Sequence, residues 1–356
     1  MIHPIIVALW CVNLSRPIIE LRDKFGYDAV KDTTHLVLSG GSVKGLAHLG
    51  CLYEIMRIEP NFFHNITKIS FTSAGCLAAL CCAFKFMGFK EWILKYDVES
   101  IMSKPDVDTL FGRVMGWFEI GKNRFGKKRN NDFFADNGTG LRTFIRTLIR
   151  RVSGLEKPTL LELHTRIFEL TGRTTVLCVY AANIDHRKCD ALSFNTHPEV
   201  LAEDAFMAAA AVPFLFPPVI IRGITYVDGG TIMNIPTPKT KNQHDILYLK
   251  LRHSQNYCNN FKENAAEYAY RLLEIIFDGQ LESLYHFYPE LGNRLITIDC
   301  DAGGLSEFAK NGIGNVNMLY ESGSHAFHAY CLSSILVTSS KLFCSTAIKR
   351  RIITKI

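Results

Sequence analysis

The sequence predicts an α/β protein, on three observations. The apolar run His35-Leu36-Val37-Leu38 passes through Ser39-Gly40-Gly41-Ser42-Val43-Lys44-Gly45 into a helical stripe at Leu46, Leu49, Leu52, Tyr53 and Met56. Ile66 to Phe71, the bend Thr72-Ser73-Ala74 and the apolar run Cys76 to Phe84 repeat that strand–turn–helix layout. A further buried-strand pattern, Val176 to Ala182, stands far downstream. Units of this kind share one sheet. Their turns then lie side by side at its carboxyl edge, where α/β proteins place their sites.

The first turn supports two chemistries. A dinucleotide fingerprint needs G-x-G-x-x-G and an acid about 20 residues on, at the end of the next strand. Here Ser42 stands where the second glycine is required, and Glu59, the acid at that distance, precedes Pro60. The alternative is an oxyanion hole, whose amides point at an oxygen that turns negative during acyl transfer. Glycine would supply positive φ angles there without strain. Lys44 reads as a solvated lysine or as a cationic edge of that loop. At the second turn, the helix after Ser73 has no polar face and belongs inside a core. A serine at such a tip projects its hydroxyl beside the first helical amides, as a nucleophile does. An N-cap serine occupies the same place, so both roles stand open on these five residues.

Residues 85–135 read as irregular. They carry Phe111, Trp117, Phe118, Phe125 and Phe133 interleaved with Lys122, Arg124, Lys127, Lys128 and Arg129, a solvated charge cluster or a membrane-interface segment. Leu141, Phe144, Ile145, Leu148, Ile149 and Val152 predict an amphipathic helix with Arg142, Arg146 and Arg150 opposite. Glu203 to Ala211 is a helix of small residues, suited to close packing against a sheet end or a bound chain, and it breaks at Pro213. Residues 219–228 form a hairpin turning near Gly223 that delivers Asp228 before Gly229-Gly230, where Asp is often a turn former. Asp245 to Leu251 and Leu295 to Asp299 are strands, and 261–276 is helical.

Composition sets the class. With 356 residues and 48% hydrophobic content the chain is globular, and its net charge of +6 suits an anionic lipid surface without any nucleic-acid motif. Eleven cysteines, with no CxxC pair, read as buried thiols of a reducing compartment and not as disulfides or a zinc site. The start, Met1 to Trp10, lacks the basic region of a secretory signal and is too short to span a bilayer. The expected location is intracellular, cytoplasmic or peripheral to membranes. The tail, Leu332 to Ile348 followed by Lys349-Arg350-Arg351, reads as a final packed helix with a basic end, or as a stretch lying on a membrane.

Taken together, Gly40-Gly41-Ser42-Val43-Lys44-Gly45, then Phe71-Thr72-Ser73-Ala74-Gly75, then Asp228-Gly229-Gly230, resemble the patatin-like phospholipase family and its G-G-G-x-[R/K]-G, G-x-S-x-G and D-G-[G/A] motifs. Ala208 to Pro218, Asn234 and Pro236 are similar to the segments around that family's aspartate. The resemblance implies a three-layer α/β/α fold with a central, mostly parallel sheet and a nucleophile elbow. It implies an acyl-hydrolase domain over 35–331, with its motifs in 35–241, between an extension (1–34) and a tail (332–356). It implies a lipid acyl hydrolase of the phospholipase A type, a serine carboxylic-ester hydrolase acting on phospholipid or another acyl-ester lipid. Ser73 would be the nucleophile and Asp228 the base, with the amides of Gly40, Gly41 and Ser42 as the oxyanion hole. Lys44, Gly45, Gly75, Gly229 and Gly230 support these motifs, and no metal or cofactor is implied.

Two positions depart from the pattern. Ser42 replaces the third loop glycine, a mild change if its φ is negative or its hydroxyl joins the hole. Phe71 replaces the elbow's first glycine, and overpacking there costs about 1–3 kcal/mol. The alternative expectation is therefore a catalytically impaired lipid-binding or interaction protein on the same fold. A Ser/His/Asp triad would nominate His325 or His328, both in ordinary helical context.

Overall fold

The computed structural model describes residues 28–95, 134, 136–237, 245–253, 272–280, 294–301 and 316–333. The chain opens with α1 (Asp28–Lys31), β1 (His35–Leu38), a 3₁₀ turn (Ser42–Lys44), α2 (Gly45–Ile58), α3 (Phe62–Asn65), β2 (Lys68–Phe71), α4 (Gly75–Ala83) and α5 (Phe89–Ile93). It continues with α6 (Thr139–Ser153), α7 (Leu160–Thr171), β3 (Val176–Asn183), β4 (Lys188–Leu192), α8 (Ala202–Ala210), β5 (Val219–Ile221), β6 (Ile224–Asp228), α9 (Gly230–Met233), β7 (Ile246–His253) and β8 (Leu295–Cys300). Residues 272–280 (α10) and 316–333 (α11) are helical.

Eight strands form one sheet, hydrogen-bonded in the order β5-β6-β3-β2-β1-β7-β8, with β4 also on β3. The β7, β1, β2 and β3 pairings and β7 with β8 are parallel, while β4, β5 and β6 pair antiparallel. This is the central, mostly parallel sheet with flanking helices of an α/β/α architecture. Leu36, Leu38, Ile69, Phe71, Leu177 and Val179 point into the larger core with α2, α4, α6 and α8. Alternation along the strands sends Val37, Ile246, Tyr248 and Leu295 to a smaller core on the other face.

The register at β3 positions the site. Val179 pairs with both Phe71 of β2 and Leu192 of β4, so those strands lie on opposite edges of β3. Ala181 pairs with both Asp190 of β4 and Asp228 of β6. Strands β2 and β6 therefore share one edge of β3 and meet end to end. The residues after Phe71 face the last residue of β6.

Local sequence accounts for the helix limits. Thr159 and Glu162 form a reciprocal capping box on α7, which ends at Gly172 with φ 68°. Helix α6 runs between Gly138 and Gly154, both at φ 75°. Its expected basic face is paired, because Arg142 and Arg146 bind Glu203 and Asp204 at the start of α8. The small residues of α8 let it pack on β3, β5 and β6, which settles the sheet end as what they approach. Phe71 fits because this layer has room for it: it is fully buried, and its ring meets that of Phe206 at 5.3 Å, tilted by 37°.

Sequence patterns left other features unassigned. Within the stretch expected to be irregular, α5 forms because Phe89 and Ile93 are a buried i, i+4 pair. The basic and aromatic residues from Phe111 to Phe133 lie outside the described residues, as do 1–27 and the tail beyond 333. The helix expected at 261–276 is described only from 272 and continues to 280. All eight described cysteines are free thiols, seven of them buried. Among the described residues no helix is long and apolar enough to cross a membrane.

Phe206→Ala should cost about 3–5 kcal/mol of stability through the cavity left beside Phe71. Urea denaturation at unchanged m-value measures it. A loss below about 1 kcal/mol would show that the Phe71 ring does not depend on this partner.

Candidate active site

Ser73 stands just past the end of β2. Thr72 Oγ1 donates to Tyr180 O at 3.0 Å, fastening the turn to β3. Ser73 then takes φ 48°, a left-handed conformation that costs a non-glycine residue about 1–3 kcal/mol and persists only where the surroundings hold it. They do so through the Ser73 amide, which donates to Ala209 O at 2.9 Å, and through Ser73 O, which accepts from Cys76 N at 3.1 Å. Gly75 is needed for space, since a Cβ there would lie 3.0 Å from Leu38 O and 3.1 Å from Ser39 O. The turn is thus a strained elbow pressed against the end of β1.

Asp228, the last residue of β6, has no exposed surface. Its amide donates to Ala211 O at 2.9 Å, and its Oδ1 accepts from Gly230 N at 2.7 Å. Among the described residues Oδ2 has no hydrogen bond of good geometry. Burial pushes the carboxyl up to about 7, against the nearby Ser73 hydroxyl and the Gly230 amide, both of which favour its charged form. Gly229 lets the two loops touch, because a side chain there would collide with Thr72 Oγ1 and Tyr180 O. Ser73 and Asp228 line one cleft.

The glycine loop borders the same cleft, although its amides are not equivalent. Gly40 N donates to Asn234 O at 3.0 Å, which ties the loop to the segment after Asp228. The amides of Gly41 and Ser42 open the 3₁₀ turn, where the first N–H groups of a helix have no partner within it. The expected positive φ falls on Ser42, at 55°, and not on the glycines; Gly41 is extended at φ 163°. The glycines answer to crowding instead. A Cβ on Gly40 would run into Asn234 Oδ1 and lie 3.0 Å from Ser73 Cβ, and one on Gly41 would lie 2.6 Å from Leu251. Gly45 similarly admits Ala74, whose Cβ would stand 2.8 Å from an added one.

Lys44 is not a solvated lysine. It is 6% exposed and lines the cleft. Burial lowers its pKa, while Asp278, Cys300 and Glu274 act in the opposite direction. Glu274, Phe277 and Asp278 belong to α10, which carries no motif; only the i, i+4 acidic spacing marks it in the sequence. Helix α10 is fastened to the segment after Asp228: Gln280 Oε1 accepts from Asn234 N at 2.7 Å, and Gln280 Nε2 donates to Gly230 O at 3.0 Å. The cleft holds a cavity of about 40 Å³, room for about three waters. His328 faces Glu54 at 3.3 Å, and neither it nor His325 lines the cleft. Among the described residues no group of three or more His, Cys, Asp or Glu could hold a metal ion.

A strained serine at a strand end, a buried carboxyl of raised pKa and a loop of helix-start amides together suit acyl transfer. Comparison with known proteins agrees. A family model described as patatin-like phospholipase matches residues 36–240. A probable lipid hydrolase, 463L, of Invertebrate iridescent virus 6 is 26% identical over 203 residues, covering 56% of this chain and 61% of that protein. Protein R571 of Acanthamoeba polyphaga mimivirus is 26% identical over 204 residues, 57% of this chain and 59% of its own. The chain thus spans about three fifths of the length of these curated relatives. The crystal structure of VipD from Legionella pneumophila has a TM-score of 0.51 at 16% identity, covering 85% of this chain and 67% of that one, a likeness of fold.

The raised Asp228 pKa makes stability depend on pH. Between the ordinary value of 3.8 and about 7 the folded protein keeps a proton that the unfolded chain has released, so this group's contribution falls as pH rises through that window. Asp228→Asn should therefore stabilise the protein at about pH 8, by an amount on the order of a few kcal/mol that fades toward about pH 4. Urea midpoints of both chains across pH measure it, and a pH-independent difference would mean that Asp228 is not a buried, titrating carboxyl.

Proposed function

The chain belongs to the patatin-like phospholipase family, and on that footing we propose that it is a lipid acyl hydrolase whose nucleophile is Ser73 and whose general base is Asp228. The observation that carries the proposal is their convergence: remote in sequence, they meet where β2 and β6 abut on one edge of β3. In the first step Ser73 Oγ bonds to the ester carbonyl carbon while its proton passes to Asp228. The carbonyl oxygen turns negative facing the Gly41 and Ser42 amides. Collapse of that intermediate breaks the bond to the alcohol, which leaves with the proton from Asp228. Water, deprotonated by the same carboxylate, then bonds to the acyl carbon, and the bond to Ser73 Oγ breaks as Oγ takes back that proton from Asp228, releasing the fatty acid.

An aspartate of ordinary pKa is a weak base for a hydroxyl. The buried setting of Asp228 raises its basicity, and the Gly230 amide fixes Oδ1 so that Oδ2 is the oxygen left to receive the proton. Phe71 does not stand against this reading, because its ring is directed into the core toward Phe206, away from the cleft. The substrate class in this reading is a phospholipid or other long-chain ester; the family match and the similarity to a viral protein described as a probable lipid hydrolase support it. A peripheral position on membranes accords with such a substrate.

Ser73→Ala should lower acyl release from phospholipid vesicles by about a thousandfold or more and abolish labelling by a fluorophosphonate probe. Retained labelling would assign the nucleophile to another residue. In the wild type kcat/KM should rise with pH through about 7 as Asp228 ionises. A flat profile between about pH 5 and pH 9 would remove Asp228 as the titrating base.

A further inference from the structure

His48 is a buried titratable group that the chemistry above does not use. It lies near the start of α2 with no exposed surface, and it does not line the cleft. Its Nε2 stands 3.0 Å from Ser39 O. A carbonyl oxygen only accepts, so the imidazole is the Nε2–H tautomer and donates this bond. Nδ1 is then an acceptor, and among the described residues it has no hydrogen-bond partner. Burial lowers the pKa of the ring to about 4, which keeps it neutral where Asp228 titrates, at about 7. A buried acceptor without a donor destabilises the fold. An apolar side chain would avoid that penalty, and what it could not supply is the bond to Ser39.

Ser39 is the root of the glycine loop, and its amide, hydroxyl oxygen and carbonyl are each engaged. The amide donates to Leu249 O at 3.1 Å, Oγ accepts from Leu251 N at 2.9 Å, and the carbonyl accepts from His48. The peptide unit that follows is planar, so fixing Ser39 O also fixes the direction of the Gly40 N–H, which donates to Asn234 O at 3.0 Å. His48 stands on the far side of the loop in sequence, beyond the 3₁₀ turn (Ser42–Lys44). Its bond to Ser39 therefore joins the two ends of the loop and closes the stretch between them into a short ring. Inside that ring is Ser42, whose φ of 55° is a left-handed conformation that persists only where the surroundings hold it. The helix that carries His48 is a firm mount. A Cβ on Gly50 would collide with Tyr320 O and one on Gly323 with Ala47 O, so α2 and α11 touch backbone to backbone at residues flanking His48 in sequence.

Resting on the hydrolase reading above, we propose that His48 is a positioning residue for acyl transfer, whose bond to Ser39 O holds the glycine loop so that the Gly41 and Ser42 amides face the oxygen that turns negative. The ring touches no substrate and moves no proton. Without its bond the Ser39–Gly40 peptide loses one of its two anchors, Ser42 is released toward an unstrained backbone, and the two amides lose their aim. A displacement of about 1 Å from a developing charge costs about a hundredfold in rate. Ground-state binding, in which the carbonyl oxygen is still neutral, changes far less.

The test compares the wild type, His48→Leu and His48→Gln on a soluble p-nitrophenyl ester. It also measures inhibition by a long-chain alkyl trifluoromethyl ketone, to whose carbonyl carbon Ser73 Oγ adds as its proton passes to Asp228, leaving the ketone oxygen negative. His48→Leu should lower kcat about ten- to a hundredfold with KM within about twofold of the wild type, and should weaken the ketone by the same factor as kcat/KM. Its urea midpoint should stay close to that of the wild type, because loss of the bond is offset by removal of the unpartnered Nδ1. His48→Gln, whose side-chain amide donates from the place of Nε2, should regain kcat to within about fivefold of the wild type. A wild type that neither hydrolyses the ester nor is labelled by a fluorophosphonate overturns the hydrolase reading and this assignment with it. With an active wild type that reading stands, and the assignment alone is overturned by an unchanged kcat in His48→Leu, by a loss confined to KM, by equal losses in the two variants, or by unfolding of His48→Leu, which would make the ring a part of the core and nothing more.

Discussion

Two carbonyls at the end of one helix hold the site together. Helix α8 finishes at Ala210, and the last carbonyls of a helix have no partner within it. Ala209 O receives the Ser73 amide and Ala211 O receives the Asp228 amide. The spacing between Ser73 and Asp228 is thereby set by two residues of rigid backbone, not by the long chain between them. Everything that seats α8 then bears on the site. Alanines allow it close to β3 and β6, Phe206 packs on Phe71, and Glu203 and Asp204 anchor its start to α6. Phe71, a departure from the family's elbow, becomes one of the contacts that position this helix.

Burial of Asp228 is the second constraint, and it acts in opposite directions on stability and chemistry. A carboxyl with no exposed surface is largely stripped of water, which destabilises its charged form. The same stripping makes it a stronger base. One amide, from Gly230, offsets part of the cost at Oδ1. Leaving Oδ2 without such a donor retains its basicity where the Ser73 proton would arrive. A fold selected only for stability would place an apolar or fully bonded side chain there.

The fold was largely legible in the residues, because its local rules agree with its global arrangement. Continuous apolar runs located β1, β2, β3 and α4, stripes at period 3.6 located α2 and α6, and Gly223 marked the β5–β6 hairpin. The three motifs named Ser73, Asp228 and the glycine loop, all of which border one cleft. What stayed hidden depends on tertiary contact. Lys44 looks like any surface lysine until α10 covers it. Gly40 looks like an oxyanion donor until Asn234, remote in the chain, takes its amide. Strand β4 and helix α10 lack any motif, and the positive φ at Ser42 overrides a preference that composition would have assigned to glycine.

The abutment of β2 and β6 on a common edge of β3 also carries a temporal consequence. During synthesis the elbow emerges early, but its counterpart arrives only after β3 to β6 have been made, and β1 must still await β7 on its open side. Such non-local pairings form slowly and late. A ribosome-bound fragment therefore carries Ser73 without Asp228 beside it. The two come together only in a finished domain, after the sheet that orders them has closed.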